Sequence, residues 1–193
     1  SWSEKSFNYQ LEVWDEVWNQ GESIEELSQA LFWLQSIQND NQLFKSWYKT
    51  YKWVNRVDNW VHSDNLSHSY SRCLEVEQSA VYSKLVYWSK SANSWKRRQS
   101  VVSLFFYSRL RKKFLKTDKI FPLLNILIED DNYFVQKGIG WCLREAYNVY
   151  PEKTFKFIEK NIKKISTIAF SSSTEKITKK KKNYLKKIRR KKL

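Results

Sequence analysis

Apolar residues along this chain recur at three- and four-residue intervals and rarely alternate. Phe7, Leu11, Trp14 and Trp18 fall on one helical face, which predicts a helix from about Phe7 to Gln20. Gly21 then sits where a left-handed C-terminal cap belongs. Ser23-Ile24-Glu25-Glu26 has the form of a capping box and opens a second helix through Ala30, Leu31, Phe32 and Leu34 to Ile37. After an Asn39-Asp40-Asn41 turn, a third helix is expected from about Leu43 to Val54, then a shorter one around Val57 to His62. Ser67 to Leu74 reads as a short helix and Glu77 to Trp88 as another. Asn93 or Ser94 caps a strongly apolar helix from Trp95 to Arg111. Asp118 opens the next, to about Glu129, and Asn132 starts the helix that carries Gln136 to Tyr147. Pro151 suits a first helical position and leads into Thr154 to Ile162. A last helix covers roughly Ser166 to Ile177 and could run on into the chain's end.

Pairs of helices begin near Phe7, Leu43, Glu77, Asp118 and Pro151, a period of ~35–40 residues typical of HEAT-like repeats. The expected fold is all-α, a HEAT-like helical-repeat superhelix (an α–α solenoid), whose curvature leaves a concave face. Composition agrees. There are only three glycines, and no Asn-Gly or Asp-Gly pair that a sheet of hairpins would need. No apolar run of about 18 residues exists, so no membrane span is expected, and the start shows no secretory pattern.

Charge changes the picture at one end. Of the formal net charge of +15, the stretch from Glu175 to Leu193 supplies eleven Lys/Arg against one Glu. Residues 1–177 are therefore taken as one repeat domain and 178–193 as a basic C-terminal tail. That tail is either a frayed, solvated charge run or an extension that binds phosphates. Tyr184, Leu185 and Ile188 are too few to give it an apolar face for a membrane surface. Cys73 and Cys142 lie far apart, with no metal-ligand spacing, and are expected to be buried thiols. His62 and His68 lack acidic partners at metal spacing, so no metal site is expected. The chain contains no Met and opens at Ser1-Trp2-Ser3-Glu4, so it is expected to lack its natural N-terminus.

Ten tryptophans remain to be accounted for. Trp14, Trp18, Trp33, Trp47 and Trp88 sit at core positions. Trp60, with Asp64 four residues on, and Trp141, within Phe134-Val135-Gln136-Lys137-Gly138-Ile139-Gly140-Trp141-Cys142-Leu143-Arg144-Glu145, stand out. Trp95-Lys96-Arg97-Arg98 lies between them. If local geometry is helical, Trp60 and Asp64 share a face. Asp64 could equally cap a helix starting near Asn65, and Arg97 and Arg98 could line a solvated helix. Gly138 and Gly140 suggest close helix packing and lack the strand and third glycine of a phosphate loop.

With Trp60-Val61-His62-Ser63-Asp64, Ser94-Trp95-Lys96-Arg97-Arg98 and the segment from Tyr133 to Glu145 in that order, the chain resembles the bacterial AlkD-like DNA alkylation repair family, from about Leu11 to Ile177. The resemblance implies a monofunctional DNA glycosylase that removes N3- or N7-alkylated purines from duplex DNA without flipping the base into a pocket. It implies a monomer in the bacterial cytoplasm, at the nucleoid, with no cofactor. The family's two site tryptophans match Trp60 and Trp141, its aspartate Asp64 and its arginine Arg98. The interval from that arginine to the second tryptophan is a few residues longer here.

An alkylated purine already carries positive charge and leaves readily. The enzyme need only stabilise an oxocarbenium-like sugar and position water. On this basis Asp64, Trp60 and Trp141 are the expected catalytic residues, the carboxylate acting electrostatically or on water and the indoles by cation–π attraction. Arg98 is assigned to a phosphate, and Arg97, Lys137 and Arg144 join it as DNA-binding residues. The matched positions contain no lysine that could form a covalent sugar adduct, so strand cleavage is not expected. The alternatives are a non-catalytic HEAT-like protein that binds branched or distorted DNA, and a protein-binding solenoid whose basicity is incidental.

Overall fold

The computed structural model describes residues 4–190, and among these the chain is helical, with no strand. In order come α1 (Phe7–Gln20), α2 (Ile24–Ser36), α3 (Asp40–Thr50), α4 (Trp60–Val76), α5 (Gln78–Trp88), α6 (Ser94–Val102), α7 (Thr117–Leu127), α8 (Tyr133–Val149), α9 (Pro151–Lys160), α10 (Thr167–Ser173) and α11 (Lys179–Arg190). Helices α2, α4, α6, α8 and α10 stack in succession as one layer. Helices α1, α3, α5, α7 and α9 pair with them and form the other layer, and α11 docks beside α9. This is the stacking of an α–α solenoid.

Polar contacts between repeats record the period directly. Trp18 Nε1 donates to the Trp53 carbonyl, Arg98 to Asp64, and Ser108 to Glu145, across 35, 34 and 37 positions. Along α4 and α6, Ser63 meets Gln99 and the later Ser71 meets Ser103. Along α6 and α8, Arg98 meets Phe134 and Val102 lies against Gly138. Partners advance together, so these three helices run parallel with their N-termini side by side. Asn59, Asn93 and Asn132 cap them in turn, each side chain accepting backbone N–H bonds from the first turn.

Several expected elements hold. The helix from Phe7 to Gln20, the Ser23–Glu26 capping box and Pro151 at the start of α9 are all present. Trp18, Trp33, Trp47 and Trp88 are buried, and Trp14 packs partly buried against the core. Cys73 and Cys142 are buried thiols, and burial pushes Cys73 up to about 12.

Others differ for physical reasons. Gly21 is not left-handed: its φ is −55°, and what requires glycine is room, since a Cβ would lie 2.7 Å from the Val17 carbonyl oxygen. The two short helices expected around Val57 to His62 and Ser67 to Leu74 are one helix, α4. Its buried face carries Ser63, Ser67, Ser69 and Ser71, which apolar periodicity does not register. The Gln99 amide bridges Ser63, Ser67 and Ser103 across the α4–α6 interface. The third helix ends at Thr50, and residues Tyr51–Arg56 continue as a tighter 3₁₀ turn.

The helix from Trp95 stops at Val102, nine residues short of Arg111. Leu104 and Phe105 bond to carbonyls three residues back, and Tyr107 adopts φ 48°, in the left-handed region. The turn keeps Leu104 and Phe105 in the core. Glu145 of α8 fixes it by accepting from both the backbone N–H and hydroxyl of Ser108, at 2.8 and 2.7 Å.

The basic stretch is neither frayed nor lacking an apolar face. From Lys179 to Arg190 it is helix α11, with Leu185 fully buried and Ile188 packed on the core. Lys181 pairs with Glu152, Tyr184 donates to Glu159, and Arg189 Nη1 donates to the Ile162 and Ile165 carbonyls. The rest of that stretch, 191–193, lies outside the described residues.

Candidate functional site

Trp60 is the first residue of α4, immediately after its Asn59 cap, and is 56% exposed. Asp64 lies one turn on. It is therefore inside the helix and not a cap, and the Trp60–Asp64 spacing does put both on one face. Burial pushes the Asp64 carboxyl above its ordinary value, and the neighbouring Arg98 guanidinium opposes that rise. The side chain remains 33% exposed. Arg98 Nη2 donates to Oδ1 at 2.6 Å, while Oδ2 has no protein donor among the described residues.

Arg98, assigned above to a phosphate, turns its guanidinium inward. It is buried at 6% exposure, and its second terminal nitrogen, Nη1, donates to the Phe134 carbonyl at 2.8 Å. Its Nε is buried without a partner. Gly138 makes this pose possible: a Cβ there would stand 3.3 Å from Arg98 Cγ and 3.2 Å from Val102 Cγ2. Arg98 thus spans α4, α6 and α8 at their N-terminal ends.

A cleft of about 280 Å³ opens here, lined by Trp60, Arg98, Tyr133, Phe134 and Lys137. Phe134 packs on Trp95 with ring centroids 4.8 Å apart, and Tyr133 is exposed. The Lys137 ammonium lies 5.7 Å from the centre of the Tyr133 ring. The positions matched to the family hold no lysine, but the cleft beside them has one amine, on the exposed side chain of Lys137.

Trp141, like Asp64, is not among the residues lining this cleft. It lies two turns beyond Phe134 on α8, half-buried against Phe106 and Tyr107, both with ring centroids 5.6 Å away. The Arg144 guanidinium carbon sits 5.6 Å from its ring centre. A second opening, of about 370 Å³, lies beside it, lined in part by Tyr107, Arg109 and Arg144.

Of the other basic residues assigned to DNA, Arg97 is bound to Asp130 through Nε and Nη2 at 2.6 and 3.2 Å, and its Nη1 donates to the Ser91 and Ala92 carbonyls. It ties two inter-helix turns together. Arg144 contacts Glu175 at 2.8 Å and Glu145 at 3.2 Å. Each is thus engaged by carboxylates, and Lys137 alone of the four stands open. Tyr133 and Phe134 belong to the third sequence motif, yet residue type alone assigned them no role. Their place directly after an Asn cap, ahead of the apolar stripe, was the signal.

His62 is buried against Trp18, and burial lowers its affinity for a proton. The described residues hold no cluster of three or more metal-ligating side chains, and no helix among them is long and apolar enough to cross a membrane.

The model of the DNA alkylation repair enzyme family matches residues 2–177. The chain belongs to the DNA alkylation repair enzyme family. A solved structure, described as a predicted DNA alkylation repair enzyme from Enterococcus faecalis, superposes with a TM-score of 0.69 at 16% identity, over 89% of this chain and 77% of that one. At that identity the likeness speaks for the fold. No curated protein matches the chain. Family membership makes DNA the partner of this repair protein, and the match ends before α11 begins.

Proposed function

We propose that this family member hydrolyses the N-glycosidic bond of cationic N3- or N7-alkylated purines in duplex DNA, without base flipping, as a step of base excision repair. The observation that carries this is Asp64: a partly exposed carboxylate, one oxygen held by Arg98 and the other open, one helical turn from the exposed Trp60 indole.

In the proposed reaction the C1′–N bond breaks and its electron pair leaves with the base, which departs neutral. Positive charge grows on the sugar. Asp64 lowers the energy of that charge, and Oδ2 accepts a proton from the water whose oxygen bonds to C1′. Trp60 presents its π face to the cationic sugar, an attraction of roughly 0.5–2 kcal/mol. Trp141, farther along α8, would border the neighbouring backbone. Arg98 acts as a positioning residue that favours the ionised form of Asp64. Lys137 would meet a phosphate, and Tyr133 and Phe134 would bound the cleft. The protein would act as a monomer on chromosomal DNA in a bacterial cytoplasm.

A second reading has its own observation. An Arg–Asp pair joining two repeats is also what a structural tie looks like, and a non-catalytic binder of distorted DNA would keep it. Single-turnover release of 7-methylguanine from a defined duplex separates the two, with wild type beside Asp64→Asn and duplex binding and thermal unfolding measured on both. Release by wild type that is lost in the folded, DNA-binding variant supports the glycosylase. Binding with no release by either protein overturns it and favours the binder.

A further inference from the structure

The charge of this molecule is not where its cleft is. The first 150 residues hold nineteen Lys/Arg against seventeen Asp/Glu, whereas residues 151–190 hold fourteen against three. All three of those carboxylates are engaged: Glu152 by Lys181, Glu159 by the Tyr184 hydroxyl, and Glu175 by Arg144. The remaining cations divide by face. On α9, Glu152, Phe155 and Glu159 turn toward α11, while Lys153, Lys156 and Lys160 line a groove of about 450 Å³ against α7, beside Asp118. On α11, the docked residues are Leu185, Ile188 and Arg189, and Lys179, Lys180, Lys186 and Lys187 are exposed. None of these seven lysines has an ion-pair partner among the described residues.

We propose that the outward surface of α9 and α11 is a second phosphate-binding surface for double-stranded DNA, separate from the Trp60 cleft. The cleft is built by α4, α6 and α8, in the other layer. Like charges held along a rigid helix repel, and a polyanion relieves that repulsion. A helix docked through its few apolar residues presents its lysines at fixed backbone spacing, so binding need not order the backbone. The outward face of α11 has no apolar row to enter a bilayer, which disfavours a lipid surface as the occupant. Binding of this kind is independent of sequence and releases counterions. The proposal rests on DNA being the partner and does not depend on catalysis.

The test uses the full chain and an undamaged duplex, with affinity measured by fluorescence anisotropy over a range of salt. One variant carries Lys179, Lys180, Lys186 and Lys187 each changed to Gln, and a second carries Lys153, Lys156 and Lys160 each changed to Gln. Thermal unfolding confirms that both fold. The expected result is a fall in the slope of log affinity against log salt of roughly 0.9 for each phosphate no longer neutralised, so about 2–4 for the first variant. A wild-type slope in both folded variants would overturn the proposal. So would loss of binding to phosphatidylserine vesicles by the first variant with DNA binding intact. Co-capture of two differently labelled duplexes would assign the surface to a second DNA molecule, and a reduced slope without co-capture assigns it to a flanking stretch of the same duplex. A reduced slope in a protein that releases no 7-methylguanine would uphold this surface and remove the glycosylase.

Discussion

Arg98 on α6 places its Nη2 2.6 Å from Oδ1 of Asp64 on α4, and so opposes the tendency of burial to protonate that carboxyl. The net effect is a carboxyl raised above its ordinary value. Its folded-state contribution to stability is thus fully present below the unfolded value and is lost as pH rises through the folded one. Chemistry asks for the opposite, ionised form. Base release should therefore fall as pH drops through a value above the usual aspartate range. Arg98→Gln removes the opposing cation and should move this acid limb upward by about one to three pH units. Single-turnover rates across pH measure it, and an unmoved limb would separate Arg98 from the titration.

The two glycines before Trp141 should respond differently to alanine. At Gly140 a Cβ would lie 2.6 Å from the Ala169 carbonyl oxygen and 2.9 Å from its Cα, so α10 must shift. Gly140→Ala should cost about 1–3 kcal/mol in urea unfolding. At Gly138 the neighbours are side-chain atoms, including Arg98 Cγ, which can move. Gly138→Ala should cost less stability but slow base release by displacing Arg98. The reverse order of stability losses would contradict the packing described.

Trp60 and Trp141 should part company in stability. Trp60 is exposed, so Trp60→Ala should leave unfolding within about 0.5 kcal/mol of wild type while lowering the release rate roughly tenfold, the effect of removing one cation–π attraction. Trp141→Ala should cost about 1–3 kcal/mol as well, because Phe106 and Tyr107 pack on its ring. Equal stability losses would show that Trp60 is packed rather than exposed.

Glu145→Gln keeps the shape of a buried side chain but removes the charge that accepts from Ser108 and faces Arg144. The expected cost is about 1.5–3 kcal/mol. Limited proteolysis should cut first within residues 103–116. A variant cut elsewhere, with unchanged stability, would deny Glu145 this role.

Lys137→Gln should weaken duplex binding and reduce the salt slope by about 1. Borohydride treatment of the wild type on lesion DNA should trap no covalent complex. A trapped adduct that disappears in Lys137→Gln would make this amine a nucleophile and add strand cleavage to the activity.

Much of the fold was legible because helical period and caps are local signals: Ser23 with Glu26, Asn93, Asn132 and Pro151 all mark real starts. The joining of two expected helices into α4 was hidden because its buried face is serine, whose hydroxyls need partners on α6 that no local pattern reveals. The early end of α6 was hidden for a similar reason. A carboxylate 37 positions away sets the turn at Ser108. For the candidate site, the motif brought Trp60, Asp64 and Arg98 together, but residue type could not say whether Arg98 faces solvent or Asp64. That depends on Gly138 leaving room across α8.

A stack of helix pairs has no natural end. Each layer offers the next a bare apolar surface, and an unfinished end is where copies of such a molecule would join into filaments or clumps. Here α11 lies over such a surface. Leu185 and Ile188 pack on the core from one side of the helix, and lysines stand exposed on the other. The twelve residues of α11 therefore cover apolar surface that the preceding helices would otherwise show to water, and turn a charged face outward in its place.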